Sequence, residues 1–366
     1  MNIRILIIKT APNWFDGIHI VIQNIIQYIN HEGITIDVVV PEQPISSFNE
    51  LVTSYGGKVF VLKRSITHPL RYLKSLVKII TVGKYDVVHA HGNSHTLFLE
   101  MLAAKKGKCK IRIAHSHNTS CKHKLIHDAL TPFFNSVCNY RMACGLDAGK
   151  WLFGSKSFEV FNNGINTDLF VFSSDNRLKI RKHYSIKDDD VLIGHVGKFT
   201  KIKNQSFIVE LLPSLPNNYK LFLIGSGSLY DNVRAKTSEL NLEERVFFLG
   251  DVSNVYEYLS AVDLILMPSL FEGLPLSLIE EQANGLFCIV SDNITSEADK
   301  TGNILPLPLS EIGVWKDQIL SFTKNDREAS SEQAIASLKN AGYDIVQECE
   351  KLKVFYIESV FKENKR

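Results

Sequence analysis

The chain has few cysteines and no long hydrophobic segment. Its six cysteines are scattered over 366 residues without a Cys-x-x-Cys pair, which argues against zinc and against a disulfide framework. No apolar run approaches the roughly 20 residues that span a bilayer. The amino-terminal segment lacks the length and the small-residue cleavage site of a signal peptide. These absences predict a soluble protein located in the cytosol.

Acidic residues are scarce in the first half of the chain. Residues 1–165 contain 19 Lys and Arg against 10 Asp and Glu, a balance of +9, and the remainder contains 22 against 29, a balance of −7. A basic region on a nearly neutral chain predicts a face that meets anions, such as nucleic acid, an anionic membrane or a phosphorylated acceptor. Nucleic acid is disfavoured because the basic residues are not interleaved with exposed aromatics and no nucleic-acid motif is present.

The length of the chain and its hydrophobic content of 45% fit two globular domains of ordinary size. Strand-like and helical segments alternate, which predicts an α/β fold with parallel sheets. The strand candidates form two series. The first series is 3–9, 34–40, 58–62, 86–90, 110–114 and 142–144, and the second is 191–197, 220–224, 246–249, 264–267, 288–290 and 303–305.

A segment rich in turn residues, 161–168, separates the two series, and we place a hinge there. We therefore expect two doubly wound domains, 1–165 and 166–343, that face one another across a cleft. In such sheets ligands bind at the carboxyl ends of the strands.

The most informative segment is 268–280, which follows an apolar strand-like run. It contains Glu272 and Glu280, eight positions apart, and Pro275 sits where a first helical residue would sit. The orphan N–H groups of a helix start suit a diphosphate, and a carboxylate can accept two hydrogen bonds from a vicinal diol. The segment therefore predicts a nucleotide-sugar site. The spacing selects Glu280 over the adjacent Glu281, which we expect to face solvent.

This pattern resembles the E-x7-E motif of retaining glycosyltransferases of family 4, which have the GT-B fold. The segment 196–205, Val-Gly-Lys-Phe-Thr-Lys-Ile-Lys-Asn-Gln, is similar to the V-G-R-x4-K-N-Q segment of that family, whose two cations neutralise the donor diphosphate. The resemblance assigns this role to Lys198 and Lys203. Lys198 replaces the more common arginine, so the charge is kept and the bidentate geometry is lost.

The resemblance also assigns the contacts with the donor. It implies that Glu272 binds a hydroxyl of the donor sugar and that Glu280 holds the ribose diol. The Gly-x-Gly that begins at Gly225 is no dinucleotide fingerprint, because Tyr230 stands at the third glycine position. The two glycines of this pattern allow either close approach of a ligand or tight packing of the backbone. The remaining donor-binding positions that the resemblance implies are Gly17, Gly225, Asp251, Val252, Gly273 and Leu274.

Histidines and a glycine loop mark the first half of the chain. Family members carry a Gly-Gly loop after the first strand. Here Asp16 takes the place of the first glycine before Gly17, which puts the usual loop geometry in doubt.

His117 matches the family histidine beside the reacting sugar, where an imidazole can hydrogen-bond the donor and stabilise positive charge at the anomeric carbon. His91 and His115 fit a structural role better.

Three further segments, 85–93, 112–119 and 143–154, look like a subgroup associated with bacterial exopolysaccharide and capsule assembly. The helical segment 68–85 carries basic residues on one face, which can hold a protein at an anionic inner leaflet or form an ordinary solvated surface. Its inward side chains are expected to be Leu70, Leu73, Val77 and Ile80.

The resemblance implies a retaining transfer of a hexose from a nucleoside-diphosphate sugar, with UDP preferred over GDP. The implied acceptor is a saccharide linked to undecaprenyl diphosphate at the cytoplasmic face of a bacterial membrane. The leaving phosphate takes the acceptor proton as the bond forms, so the reaction needs positioning and electrostatics. No metal or other cofactor is expected, because the two lysines and the helix start replace a metal and no Asp-x-Asp motif stands at a strand end.

In this interpretation the domain 1–165 binds the acceptor, the domain 166–343 binds the donor, and a final helix within 344–366 crosses back to the first domain. Two alternatives stay open. One is a non-catalytic accessory subunit of the same fold, and the other is an epimerase or hydrolase of nucleotide sugars.

Overall fold

Runs of β-branched residues form a parallel sheet in the first part of the chain. The computed structural model describes residues 2–12, 17–64, 68–121, 123–272 and 274–365. The strands of the first sheet are β1 (Ile3–Lys9), β2 (Ile34–Val40), β3 (Val59–Val61), β4 (Val87–Gly92), β5 (Ile111–Ser116), β6 (Tyr140–Ala143) and β7 (Glu159–Val160). They pair in the order β3-β2-β1-β4-β5-β6-β7.

Helices cover both faces of this sheet, which is why its central strands are apolar almost throughout. In β1, Ile5 and Ile7 point into one hydrophobic cluster, and Leu6 and Ile8 point into another on the opposite face. The helices are α1 (Gly17–Tyr28), α2 (Ser46–Ser54), α3 (Pro69–Gly83), α4 (Phe98–Lys106), α5 (Lys124–Val137) and α6 (Leu146–Phe153).

The second part of the chain, residues 165–344, is a separate compact unit with its own parallel sheet. Its strands are β8 (Val191–Val196), β9 (Tyr219–Ile224), β10 (Val246–Gly250), β11 (Leu264–Met267), β12 (Phe287–Ser291) and β13 (Ile304–Leu307), and they pair in the order β10-β9-β8-β11-β12-β13. Its helices are α7 (Ser174–His183), α8 (Gln205–Leu211), α9 (Tyr230–Glu239), α10 (Val255–Ala261), α11 (Leu276–Ala283), α12 (Ile312–Ser321) and α13 (Arg327–Asn340).

The last helix, α14 (Ile345–Asn364), belongs to the first unit and not to the second. It packs against α1, and its side chains from Ile345 to Val360 join the same hydrophobic cluster as β1. The chain therefore returns to its first unit after completing the second, and the predicted fold class is confirmed. Among the described residues, no helix is both long and apolar enough to cross a membrane.

The inward face of α3 differs from the prediction. Leu70 is 70% exposed, whereas Tyr72, Leu73, Leu76 and Ile80 are buried. At 100° per residue, Leu70 lies about 120° from Leu76, the centre of this stripe. The prediction for Leu70 was wrong because Tyr72 contributes to the buried face.

A buried carboxylate, Asp263, anchors α7 to the sheet of the second unit. It lies 2.6 Å from Nη2 of Arg177 and 3.1 Å from Nη1 of Arg181, and it accepts a hydrogen bond from the backbone N–H of Leu192 at 2.8 Å. Burial alone would raise the pKa of Asp263, but Arg177, the Leu192 N–H and Arg181 together lower it. The carboxylate is therefore ionised and compensated.

Replacing Asp263 with asparagine should lower the free energy of unfolding by about 3–5 kcal/mol, because two guanidinium groups would lose their buried counter-charge. Urea denaturation at neutral pH measures this loss. The control is Glu257→Gln, which breaks a 2.7 Å ion pair with the exposed Lys179 and should leave stability nearly unchanged. Equal losses in the two variants would contradict the prediction.

Candidate functional site

The loops that follow β8 and β11 meet at the carboxyl edge of the second sheet, where the two strands are neighbours. The N–H of Leu270 donates to the carbonyl of Ile202 at 2.7 Å, and Nδ2 of Asn204 donates to the carbonyl of Pro268 at 3.2 Å. These hydrogen bonds hold the two loops together. They bring the lysine-rich segment and the glutamate motif into one place.

Lys203 and Glu272 form an ion pair at this junction. Nζ of Lys203 lies 2.7 Å from Oε1 of Glu272, and the two side chains are only 17% and 14% exposed. Glu272 also forms an isolated parallel bridge with Ile294, which fixes its backbone. Two residues predicted from separate motifs are therefore in direct contact, in a setting with little water to screen their charges.

Lys198 is exposed on the same loop, and its backbone is held by a buried glutamine. Nε2 of Gln205 donates to the carbonyl of Lys198 at 3.0 Å and to that of Gly197 at 3.4 Å. Gln205 is 1% exposed. The motif contains this glutamine without indicating its role, and the structure shows that it shapes the loop.

Gly225 and Gly227 are required by backbone packing. Their φ angles are +129° and +153°, and a Cβ atom would lie 2.3 Å from the carbonyl oxygen of Gly197 or 2.5 Å from that of Phe199. Of the two explanations that the sequence left open for these glycines, the structure supports tight packing. They let the loop after β9 lie directly against the loop that carries Lys198.

The other predicted donor positions are spread over several elements. Asp251 is exposed after β10 and accepts a hydrogen bond from Oγ of Ser226, and Val252 is half-buried beside it. Leu274 packs against the hydrophobic cluster of the second unit. Gly17 begins α1 in the first unit, with open space where a Cβ would stand. Gly273 and Asp16 lie outside the described residues.

Two adjacent glutamates in α11 have unusual environments. Glu280 is half-buried, and burial raises its pKa to about 8. Glu281 is fully buried, and neither of its carboxyl oxygens has a hydrogen-bond partner among the described residues. Burial raises the pKa of Glu281 well above its usual value, Lys203 opposes this shift, and Glu280 and Glu272 reinforce it. Both carboxyl groups are therefore largely neutral at pH 7.

The prediction that Glu281 faces solvent was wrong. Helix α11 packs against both β12 and α13, so its buried surface includes the consecutive residues Glu281, Gln282 and Ala283. A helix covered on two sides has no simple alternation of inside and outside. The E-x7-E spacing singles out Glu280 and carries no information about its neighbour.

Four histidines form a cluster in the first unit. His91 on β4 and His115 on β5 are Cα partners across the two strands. Nδ1 of His91 lies 2.8 Å from Nε2 of His117, and Nε2 of His89 lies 3.1 Å from Nδ1 of His115. Nδ1 of His89 is 2.7 Å from the hydroxyl of Tyr356 on α14. The predicted functional histidine, His117, is thus connected to a buried network.

The cluster is neutral at pH 7. His89, His91 and His115 have no measurable exposure, and His117 keeps partial solvent contact. Burial lowers the pKa of all four imidazoles, and that of His89 falls to about 3. The rings therefore act as hydrogen-bonding groups or as ligands, and not as cations.

Comparison with known proteins yields two family models that match consecutive parts of the chain. The model described as Glycosyltransferase Family 4 matches residues 15–144. The model described as Glycosyl transferases group 1 matches residues 176–303. The second match contains the Lys203–Glu272 pair and α11. The first contains all four histidines of the cluster but not their partner Tyr356.

Relatives and solved structures align with most of the chain. EpsF of Bacillus subtilis (strain 168), a protein named for glycosyltransferase activity, is 30% identical over 96% of this chain and 95% of its own. A UDP-Gal:alpha-D-GlcNAc-diphosphoundecaprenol alpha-1,3-galactosyltransferase of Escherichia coli is 25% identical over 81% of both chains. The crystal structure of Anabaena Alr3699/HepE in complex with UDP superposes with a TM-score of 0.79 at 15% identity, covering 97% of this chain and 100% of that one.

The raised pKa of Glu281 predicts an unusual pH dependence of stability. The folded state holds this proton more tightly than the unfolded chain does. The stability that Glu281 contributes to the folded state is therefore complete at low pH, and it is lost as pH rises from the ordinary pKa of about 4.5 through the folded-state pKa. Glu281→Gln removes this loss. The variant should melt close to the parent at about pH 5 and a few degrees higher at about pH 8.5.

Thermal unfolding across this pH range is the measurement. The control is Glu297→Gln, because Glu297 is solvent-exposed, and this variant should follow the parent at every pH. A parallel pH profile for the parent and Glu281→Gln would contradict the prediction.

Proposed function

The chain belongs to the glycosyltransferases of GT-B fold, and from that premise we propose that it moves a hexose from a nucleoside-diphosphate sugar to a saccharide hydroxyl with retention at the anomeric carbon. The observation that carries this proposal is the Lys203–Glu272 pair, 2.7 Å apart, beside the amino-terminal part of α11. A cation for a diphosphate and a carboxylate for sugar hydroxyls stand side by side.

In the proposed donor complex the ion pair separates. The ammonium of Lys203 turns to the diphosphate, and the carboxylate of Glu272 becomes free to accept hydrogen bonds from the donor sugar. Lys198, exposed on the same loop, adds a second positive charge. The two lysines then neutralise the negative charge that builds on the departing nucleotide. Stabilising this developing charge lowers the barrier more than stabilising charge already present in the ground state. No metal or other cofactor enters this scheme.

The neutral carboxyl groups of α11 support binding of an anion. An ionised Glu280 or Glu281 close to a diphosphate would repel it, whereas protonated acids add no repulsion and can donate a hydrogen bond. Glu280, the half-buried fifth residue of α11, is proposed to hold the ribose diol. Backbone N–H groups around Gly273 and Leu274, and the segment Asp251–Val252, complete the proposed donor contacts.

The proposed reaction joins the acceptor oxygen to the anomeric carbon as the bond from that carbon to the phosphate oxygen breaks. The acceptor proton passes to the leaving phosphate on the same face of the sugar. His117 is proposed to hydrogen-bond the donor. Nε2 of His117 is engaged with His91. Nδ1 has no hydrogen-bond partner among the described residues but is inaccessible to solvent, so the ring has to turn for Nδ1 to make this contact.

The relatives bear on the two substrates. The Escherichia coli relative is named for a UDP-galactose donor and a diphosphoundecaprenol-linked acceptor, and the Anabaena structure contains UDP. We therefore propose a UDP-sugar as the donor and an undecaprenyl-diphosphate-linked saccharide as the acceptor, in the synthesis of an extracellular polysaccharide. The basic residues of the first unit are proposed to bring the enzyme to the anionic membrane surface that carries such an acceptor.

Binding of UDP and of UDP-sugars to three variants tests the assignment of Lys203 and Glu272. Lys203→Ala should weaken both ligands by about 10- to 100-fold, because hydrogen bonds to a charged group contribute about 1.5–3 kcal/mol. Glu272→Gln should bind UDP at least as well as the parent and lose the added affinity for the sugar. Lys201→Ala, an exposed lysine of the same loop, is the control and should bind both ligands normally.

Calorimetry and thermal shift report these affinities, since a ligand at 100 times its dissociation constant stabilises the fold by about 2.7 kcal/mol. Transfer of labelled sugar to a membrane extract identifies a transferase, and release of free sugar identifies a hydrolase. If UDP-, GDP- and ADP-sugars all fail to stabilise the parent, the proposed donor site is wrong and the accessory-subunit alternative takes its place.

A further inference from the structure

We propose that His89, His91 and His115 bind a transition-metal dication inside the first unit. Each of the three offers one ring nitrogen, and these three atoms lie within 4.8 Å of one another. The site is made only of residues of the first unit and does not depend on the proposed donor site. It would hold a metal of the zinc type, for which imidazole is a preferred ligand.

The strand register creates this convergence. His89 and His91 are two positions apart on β4, so their side chains leave the same face of the sheet. Their neighbour on β5, His115, is the direct Cα partner of His91. The backbone of all three ligands is fixed by the parallel sheet, so the site is positioned by rigid elements and not by a loop.

The distances approach those of a coordination sphere. In a tetrahedral site with Zn–N bonds of about 2.0–2.1 Å, two ligand nitrogens lie about 3.4 Å apart. Nε2 of His89 and Nδ1 of His115 are already 3.1 Å apart. Closing the widest separation of 4.8 Å to this value requires ring movements on the order of 1 Å, which rotation about the side-chain bonds supplies.

A buried nitrogen without a partner favours a metal over hydrogen bonds alone. Nε2 of His91 is inaccessible to solvent and has no hydrogen-bond partner among the described residues. Buried polar atoms are normally satisfied, and an exception calls for an explanation such as an ion. A metal would use the lone pair of His91 that the described residues leave uncommitted, together with Nε2 of His89 and Nδ1 of His115, which already lie close to one another.

Two of the ligands have an outer partner on their second nitrogen. The hydroxyl of Tyr356 lies 2.7 Å from Nδ1 of His89, and Nε2 of His117 lies 2.8 Å from Nδ1 of His91. Such partners fix the orientation and the tautomer of a ligating imidazole. In this arrangement Nδ1–H donates outward, and Nε2 of His89 and of His91 is left to face the metal.

Two His-x-His patterns, at His89 and at His115, were the sequence signal for this site. The scattered cysteines argue against zinc held by cysteine, but they say nothing about a site built from histidine alone. From the sequence we expected no metal or other cofactor, and the proposed site departs from that expectation. It takes no part in the proposed transfer reaction.

Titration of the chelator-treated full chain with Co²⁺ tests the proposal, since tetrahedral Co²⁺ absorbs visible light and can be displaced by Zn²⁺. The expected result is one equivalent of Co²⁺ with ligand-field absorption, and one Zn²⁺ per chain by elemental analysis. His91→Ala should lose this binding. His195→Ala is the control and should bind like the parent, because His195 is a buried histidine of the second unit whose Nε2 has no partner in the part of the chain that the structure describes.

A second variant covers the case in which His91→Ala does not fold. Tyr356→Phe removes only the hydroxyl next to His89 and should weaken Zn²⁺ binding by about 10- to 100-fold, as is usual for loss of an outer partner. The proposal is overturned if the parent takes up no Co²⁺ at one equivalent. It is also overturned if a folded His91→Ala, or Tyr356→Phe, binds the metal as tightly as the parent, because the metal would then lie on exposed histidines elsewhere.

Discussion

Parallel pairing of strands beneath helices on both faces is the constraint from which both proposed functional regions follow. Strands that run in one direction end at one edge, so segments far apart in the chain meet there. In the second unit this brings Lys203 to Glu272. In the first unit the register of β4 against β5 sets His91 beside His115. The same geometry produces a partly exposed charged pair in one sheet and a buried neutral cluster in the other.

The second unit contains two kinds of buried carboxyl group, one ionised and paired with cations and the other protonated. Asp263 is ionised and surrounded by two guanidinium groups and a backbone N–H, so its burial is compensated. Glu281 is equally buried and has no such partner among the described residues. Burial therefore raises its pKa well above the usual value, and the group holds a proton instead. An uncompensated group costs stability. Glu281 lies close enough to Lys203 to interact with it electrostatically, so the stability that Glu281 costs is spent in the region that we propose binds the donor. An additional negative charge there would oppose an anionic ligand.

Local patterns predicted the fold class and the lysine and glutamate segments, because apolar strand runs and a strand-turn-helix sequence are readable without knowing what packs on them. Leu70 and Glu281 were misplaced because burial depends on the neighbouring elements. Tyr72 shifts the buried stripe of α3, and α13 covers a second side of α11. The histidine cluster could not be predicted from a local pattern, because it depends on the pairing of β4 with β5, two segments that are separate in the sequence. The role of Gln205 emerges only when its amide is seen to hold the loop before it.

Helix α14 carries a consequence for the order in which the protein is made. Side chains from Ile345 to Val360 complete the hydrophobic cluster around β1, and Tyr356 is part of the histidine network. On the ribosome these residues emerge after the whole of 165–344, so the second unit can fold while the first still lacks one wall of its core. The unit that is synthesised first is therefore completed only after the second one, and its apolar surface needs protection until α14 has emerged.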